Sequence, residues 1–330
     1  MQAGMNVNSS DNEGKTALHG AAVGGHADLL QLLIAAGGDV HAASRAGDTA
    51  LHLAADHSNI SAVECLLAAG SNSNARGAHG RTPLHAAACS GSAEVAAALL
   101  TADADPALVL TSNGPAAVPP AVAGNSPLHV AVQCNNAAVA QLLFIDGKQM
   151  AAALNSAGMP PLHLATVADC AAAAAVVLMG APAVAGLTCG VSQCTALHEA
   201  CRQNALELAK LLLVAGCPVN QATLQGGWTA LHYAAGRDSA DLVRLLLLWH
   251  ADAECEGGGT PLLLAAQNNA TQVAEAICAA CPTALHAVSA AGLHAAHVAA
   301  AADALDITWL PSDRCSTTLH LSLPFFLSAP

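Results

Sequence analysis

The sequence predicts an all-α fold, a solenoid of stacked helix–turn–helix units joined by hairpin-like loops. Three observations carry this expectation. First, a four-residue signature recurs at Thr16-Ala17-Leu18-His19, Thr49-Ala50-Leu51-His52, Thr82-Pro83-Leu84-His85 and Ser126-Pro127-Leu128-His129. It continues at Pro160-Pro161-Leu162-His163, Thr195-Ala196-Leu197-His198, Thr229-Ala230-Leu231-His232 and Thr260-Pro261-Leu262-Leu263, with successive spacings of 33, 33, 44, 34, 35, 34 and 31 residues. Second, the chain is 54% hydrophobic but only 2% aromatic, so its core is built from Ala, Leu and Val, which suit closely packed helices. Third, an apolar segment at helical spacing follows the signature, as in Leu29, Leu30, Leu32 and Leu33, or Leu242, Val243, Leu245 and Leu246.

Each element of the unit has a physical reason. Thr or Ser opens the first helix as an N-cap, accepting from the free N–H groups of the first turn. Pro fits the next position, where its missing N–H would have been an orphan. Leu enters the core, and Ala pairs (Ala21-Ala22, Ala54-Ala55, Ala87-Ala88) allow neighbouring helices to approach closely. The second helix ends at Gly37, Gly70, Gly147 and Gly216, where a left-handed cap is expected. Asp103, His250 and Cys281 stand at that point in three units, which predicts strained or differently shaped ends. Between units, Asp11-Asn12-Glu13-Gly14 predicts a tip fixed by its Asp, whereas Gly47, Gly80, Gly158 and Gly227 keep the Gly without it, predicting a weaker turn.

The long third interval, between the third and fourth copies, holds an insertion within residues 109–124 that includes Pro115, Pro119 and Pro120. It is expected to be an extended surface loop. A worn ninth copy starts at His294, and residues 306–330, with Trp309, Phe325 and Phe326, form an apolar tail or cap.

The period of about 33 residues and the T-P-L-H-x-A pattern resemble the ankyrin repeat. The resemblance spans most of the chain and implies one array over residues 1–305. It also implies that the signature histidines bridge backbone groups between neighbouring repeats, and that the loop tips and exposed side of each first helix form a concave binding face. Carried onto this sequence, the resemblance makes Arg45, Asp48, Asp56, Arg81, Glu199, Arg202, Trp228, Tyr233 and Arg237 candidate partner-binding residues. Trp228, Tyr233 and Arg237 draw most interest, because Trp, Tyr and Arg are enriched at binding hot spots and Tyr233 is the chain's one tyrosine.

The remaining observations narrow the function. Ten Lys+Arg against 23 Asp+Glu give a net charge of -13, which disfavours nucleic acid. The uncharged stretch Cys170 to Leu187 is mostly Ala and carries Gly180, Pro182 and Gly186, so no membrane span is expected. Twelve cysteines in 330 residues do not read as a disulfide framework, and a cytoplasmic setting, with the nucleus second, is expected. Gly14-Lys15-Thr16 lacks the first Gly of a phosphate loop, and His198-Glu199 lacks the second His of a zinc-protease helix. Cys189, Cys194, His198 and Cys201 are dense, but buried or isolated thiols are the simpler reading. No catalytic constellation and no cofactor are expected. The chain is expected to be a monomeric, non-catalytic scaffold or adaptor for a protein partner. The rival readings are a substrate-recruiting module of a larger complex such as a ubiquitin ligase and, behind it, a metal-dependent protein.

Overall fold

Every signature opens a helix at a first residue with extended backbone, and in most copies its histidine turns back onto that residue. Thr16 sits at φ -91 and ψ 174 ahead of helix α1 (Ala17–Val23), and its N–H donates to Nδ1 of His19 at 3.0 Å. In the computed structural model this pattern repeats across the described residues, which are 6–111, 123–144, 150–190, 192–255, 259–288 and 292–301. They fall into two compact units divided between Gln225 and Gly226.

In the first unit, α1 is followed by α2 (Ala27–Ala35), α3 (Ala50–Asp56), α4 (Ile60–Ala68), α5 (Pro83–Ser90) and α6 (Ala93–Thr101). Then come α7 (Pro127–Gln133), α8 (Ala137–Phe144), α9 (Pro161–Val167), α10 (Ala171–Gly180), α11 (Ala196–Gln203) and α12 (Leu206–Val214). Odd-numbered helices stack in one row and even-numbered helices in a second row behind it. The Ala pairs set the close spacing of the first row: Ala22, Ala54, Ala55, Ala87 and Ala88 are wholly buried. Between them Leu51, Leu84, Leu128, Leu162 and Leu197 are also sealed from water, each contributing about 1.5–3 kcal/mol of transfer free energy.

The second unit contains α13 (Ala230–Gly236), α14 (Ala240–Leu248), α15 (Pro261–Gln267), α16 (Thr271–Ala280) and α17 (Ala295–Ala301). Here α15 packs between α13 and α17, so the worn ninth copy does form its first helix. The tail at 306–330 lies outside the described residues.

The loop tips join laterally. The N–H of Arg45 donates to the carbonyl of Glu13 at 2.8 Å, that of Thr111 to His79 at 2.7 Å, and that of Leu224 to Ser192 at 2.9 Å. Gly14 shows why a tip keeps glycine. Its φ is +76, and a Cβ there would lie 2.9 Å from the backbone nitrogen of Arg45. The carboxylate of Asp11 accepts from the N–H groups of Glu13 and Lys15, as the sequence predicts. The expected loss of this bond elsewhere is corrected at Asn155-Ser156-Ala157-Gly158. There the amide oxygen of Asn155 accepts from Ala157 and Met159, both at 3.0 Å, because a side-chain amide carries the same acceptor as a carboxylate.

Gly37, Gly70 and Gly216 end their helices at φ +85, and Asp103 and His250 take the same left-handed conformation at φ 58 and 62. Cys281 does not. At φ -138 it leads into a 3₁₀ turn, Pro282–His286, just as Ala181 leads into Pro182–Gly186. A proline one residue after the cap forces this change. Gly147 and residues 112–122 of the insertion lie outside the described residues, and the stems of the insertion are hydrogen-bonded to each other. The N–H of Leu110 donates to the Asn125 carbonyl at 2.9 Å, and that of Gly124 to Leu110 at 2.8 Å. Among the described residues no helix is long and apolar enough to cross a membrane. The stretch Cys170 to Leu187 divides into α10 and a 3₁₀ turn, Pro182–Gly186, and ends just before a short hairpin.

Candidate protein-binding face

The signature histidines hold the stack together with one repeated set of bonds. Nε2 lies 3.0 Å from the carbonyl oxygen of Asp48 for His19, of Arg81 for His52 and of Cys194 for His163. The corresponding partners are Asn125 for His85 at 3.1 Å, Met159 for His129 at 3.2 Å and Gly259 for His232 at 2.9 Å. A carbonyl only accepts, so Nε2 must carry the proton and Nδ1 must accept. Nδ1 does accept from the backbone N–H of the residue three before it, as at Thr49, Thr82, Ser126 and Thr229. One neutral tautomer therefore satisfies both ring nitrogens and bridges to the following repeat.

Burial enforces that neutrality. It pushes the imidazoles of His85 and His129 down to about 4 against the opposing effect of their carbonyl bonds. His19, His52, His163 and His232 are lowered for the same first cause. Their role is structural, as the sequence predicts.

Two repeats depart from this pattern. Pro160 has neither N–H nor hydroxyl, so Nδ1 of His163 is buried with no hydrogen-bond partner. The eighth signature has Leu263, 5% exposed, where the others have histidine.

Side-chain amides add a second tie. Nδ2 of Asn59 donates to the carbonyls of Ala22 and Val23, both at 2.8 Å, and Asn136 does the same to Ala88 and Cys89. Asn8 and Asn74 each brace the following unit, donating to Gly37 and Asp103 and accepting from Asp39 and Asp105.

The residue after each signature reaches the surface in most copies, Ala86 and Leu164 being buried. Here the chain varies more than in its frame: Gly20, Leu53, Ala86, Val130, Leu164 and Glu199 occupy this position in the first unit, and Tyr233 and Leu264 in the second. Glu199 is the most distinctive in its unit. Its carboxylate accepts from Nε of Arg202 at 2.9 Å, from Nη2 at 2.6 Å and from Gln203 at 2.9 Å. Burial raises its pKa, but these bonds and the Arg202 charge outweigh that and hold it below the ordinary carboxylate value. Asp56 and Arg81 form an ion pair, and Asp48 accepts from the N–H of Ala78 at 3.3 Å. Those candidate residues therefore also serve the fold. Arg45 is exposed at its loop tip.

In the second unit, Trp228 meets Tyr233 edge-on with ring centroids 5.3 Å apart and stacks on His232 at 6.0 Å. Both aromatic rings are half-exposed, and Arg237 is exposed at the end of the same helix. Trp228 precedes the N-cap Thr229, Tyr233 lies in the first turns of α13, and Arg237 is its C-cap, four residues on from Tyr233.

The dense cysteine group separates. Cys189 and Cys194 face each other on a two-stranded hairpin, β1 (Thr188–Cys189) and β2 (Cys194–Thr195). Cys201 is wholly buried and its thiol is pushed up strongly by burial. Nδ1 of His198 is already occupied by Thr195. Among the described residues, no three His, Cys, Asp or Glu side chains are placed to hold a metal ion.

A repeating helical frame with a varied outward face is the architecture of a repeat interaction module. Comparison with known proteins supplies the family. Models of ankyrin repeats (three copies) match residues 25–109, 171–256 and 197–286, and a model of the ankyrin repeat matches 123–155. The chain belongs to the ankyrin-repeat family.

It is 42% identical over 88 residues to the nuclear factor NF-kappa-B p105 subunit of Mus musculus, covering 26% of this chain and 9% of that one. It is 33% identical over 156 residues to the human (Homo sapiens) B-cell lymphoma 3 protein, covering 44% and 34%. The chain thus spans about a third or less of these curated relatives. The crystal structure of the human ASB11 ankyrin repeat domain superposes with a TM-score of 0.58 at 27% identity, covering 71% of this chain and 98% of that one.

Proposed function

We propose that the chain is a non-catalytic scaffold or adaptor that captures a protein partner on the face built from its loop tips and first helices. One observation carries this reading: the signature histidine is consumed by inter-repeat bonds, while the next residue ranges from Gly through Leu to Glu and Tyr and reaches the surface in six of the eight copies. A surface that repeats its frame and varies its display suits recognition of one extended partner. The Trp228–Tyr233 pair with Arg237 is the proposed hot spot, since aromatic anchors supply contact area at low entropic cost. A cytoplasmic protein partner and a monomeric array complete the proposal.

The test is affinity capture with the full chain and with the Trp228→Ala/Tyr233→Ala double variant, the bound proteins being identified by mass spectrometry. The proposal expects a captured protein to be lost with the double variant while far-ultraviolet circular dichroism stays unchanged. Equal capture by both chains removes the hot spot. Collapse of the helical signal would show that the rings serve the fold instead.

A further inference from the structure

Cys89 is the seventh residue of α5, and Cys134 caps the end of α7 in the next repeat. Both thiols are exposed, and their sulfurs lie 3.9 Å apart. The backbone beneath them is fixed, because the Asn136 amide donates to the carbonyls of Ala88 at 2.7 Å and Cys89 at 3.1 Å. A disulfide needs a sulfur–sulfur separation of about 2 Å, so side-chain rotation shared between two exposed cysteines closes the gap. The other neighbouring thiols are less suited. Cys201 is wholly buried beside the buried Cys217, and Cys194 already contacts the Ser192 hydroxyl at 3.2 Å.

We propose that Cys89 and Cys134 are a reversible modification site, a dithiol that a small-molecule disulfide such as oxidised glutathione converts to a disulfide joining the third and fourth repeats. The Cys89 thiolate attacks one sulfur of the oxidant, forming a mixed disulfide and releasing one reduced glutathione. Cys134 then loses its proton and attacks Cys89 Sγ, expelling the second. Two protein thiols are oxidised and one glutathione disulfide is reduced to two thiols. Partial burial, then neighbouring Cys89, pushes the Cys134 thiol up to about 11, which disfavours it as the first attacking thiolate. The bond closes a loop containing the insertion and holds together two first helices of the display face. In a reducing compartment such an exposed bond is transient and regulatory. The inference stands independently of the partner proposed above.

The sequence offers a direct readout. Cleavage after Arg81 and Lys148 by trypsin releases residues 82–148 as one peptide, and its two cysteines are Cys89 and Cys134. The full chain is incubated without denaturant in excess oxidised glutathione, alkylated, digested and weighed. The expected result is a peptide lighter by two hydrogens and blocked to alkylation until reduced, with a thermal midpoint several degrees above the reduced protein. Cys134→Ser is expected to carry glutathione on Cys89 instead, and neither Cys89→Ser nor Cys134→Ser shows the thermal gain. Free alkylation of both cysteines, glutathione on both without a bond between them, or the same yield in urea overturns the proposal.

Discussion

Replacing Pro160 by threonine is expected to stabilise the fifth repeat. The structure gives both the reason and the size. Nδ1 of His163 is buried and unpartnered, whereas its counterparts accept from a backbone N–H and contact a hydroxyl, as His52 does with Thr49 at 3.1 and 3.0 Å. A buried acceptor left unsatisfied costs about 1–3 kcal/mol. Removing proline frees the unfolded chain and returns about 0.4–1 kcal/mol of that gain. The backbone requires no adjustment: Pro160 sits at φ -76 and ψ 161, close to Thr49 at φ -88 and ψ 169. The net expectation is about 1 kcal/mol of stabilisation, or about 2–4 °C in thermal midpoint for a unit of this size. Circular dichroism melts of wild type, Pro160→Ala and Pro160→Thr at pH 7.5 test it. Alanine restores the N–H alone and should fall between the other two. A threonine variant melting at or below wild type would refute the reasoning, because the orphaned nitrogen would then carry no cost.

Two further outcomes follow from the inter-repeat ties. The buried histidines have folded-state pKa values depressed below the unfolded value near 6.5, so the unfolded chain binds more protons on acidification. Their contribution is full above pH 6.5 and is lost as pH falls toward 4, on the order of 3 kcal/mol for each of His85 and His129 at the bottom of that window. Imidazole resonances of those two residues should remain neutral at pH 5, and rings titrating near 6.5 in the folded protein would contradict the assignment. Asn59→Ala removes both amide bonds to the Ala22 and Val23 carbonyls and should cost about 1–2 kcal/mol, measured as a lowered urea midpoint. An unchanged midpoint would mean that water replaces the amide without loss.

Much of the frame was legible because each signature position answers one local demand. Thr, Pro, Leu, His and the Ala pair specify cap, first turn, core, bridge and close approach without reference to distant residues. Features that depend on two repeats were harder to see. The Asn155 turn departs from the expectation because an amide offers the same acceptor as the Asp that marks the first tip. The orphaned nitrogen of His163 was readable in principle, since Pro160 carries no donor, but its importance emerges only once the ring is seen to be buried. The pairing of Cys89 with Cys134 was hidden by the insertion, which separates them by 45 residues and obscures their related registers. The displayed aromatic group was anticipated by register. Its internal stacking on His232 was not, because single-residue patterns carry no information about ring orientation.

Leu263 has a mechanical consequence. Stability in a stacked array is a sum of each repeat's own folding tendency and its coupling to its neighbours. Where histidine donates to the next repeat, separating two copies strands a polar donor as well as exposing apolar surface. The eighth copy has leucine in place of that donor, so the junction of α15 and α17 lacks the histidine tie and is a seam in the second unit. Under denaturant or pulling force the array should part there first, releasing the ninth copy while the seventh and eighth remain folded. That makes the ninth copy a detachable element whose loss leaves the proposed hot spot in place.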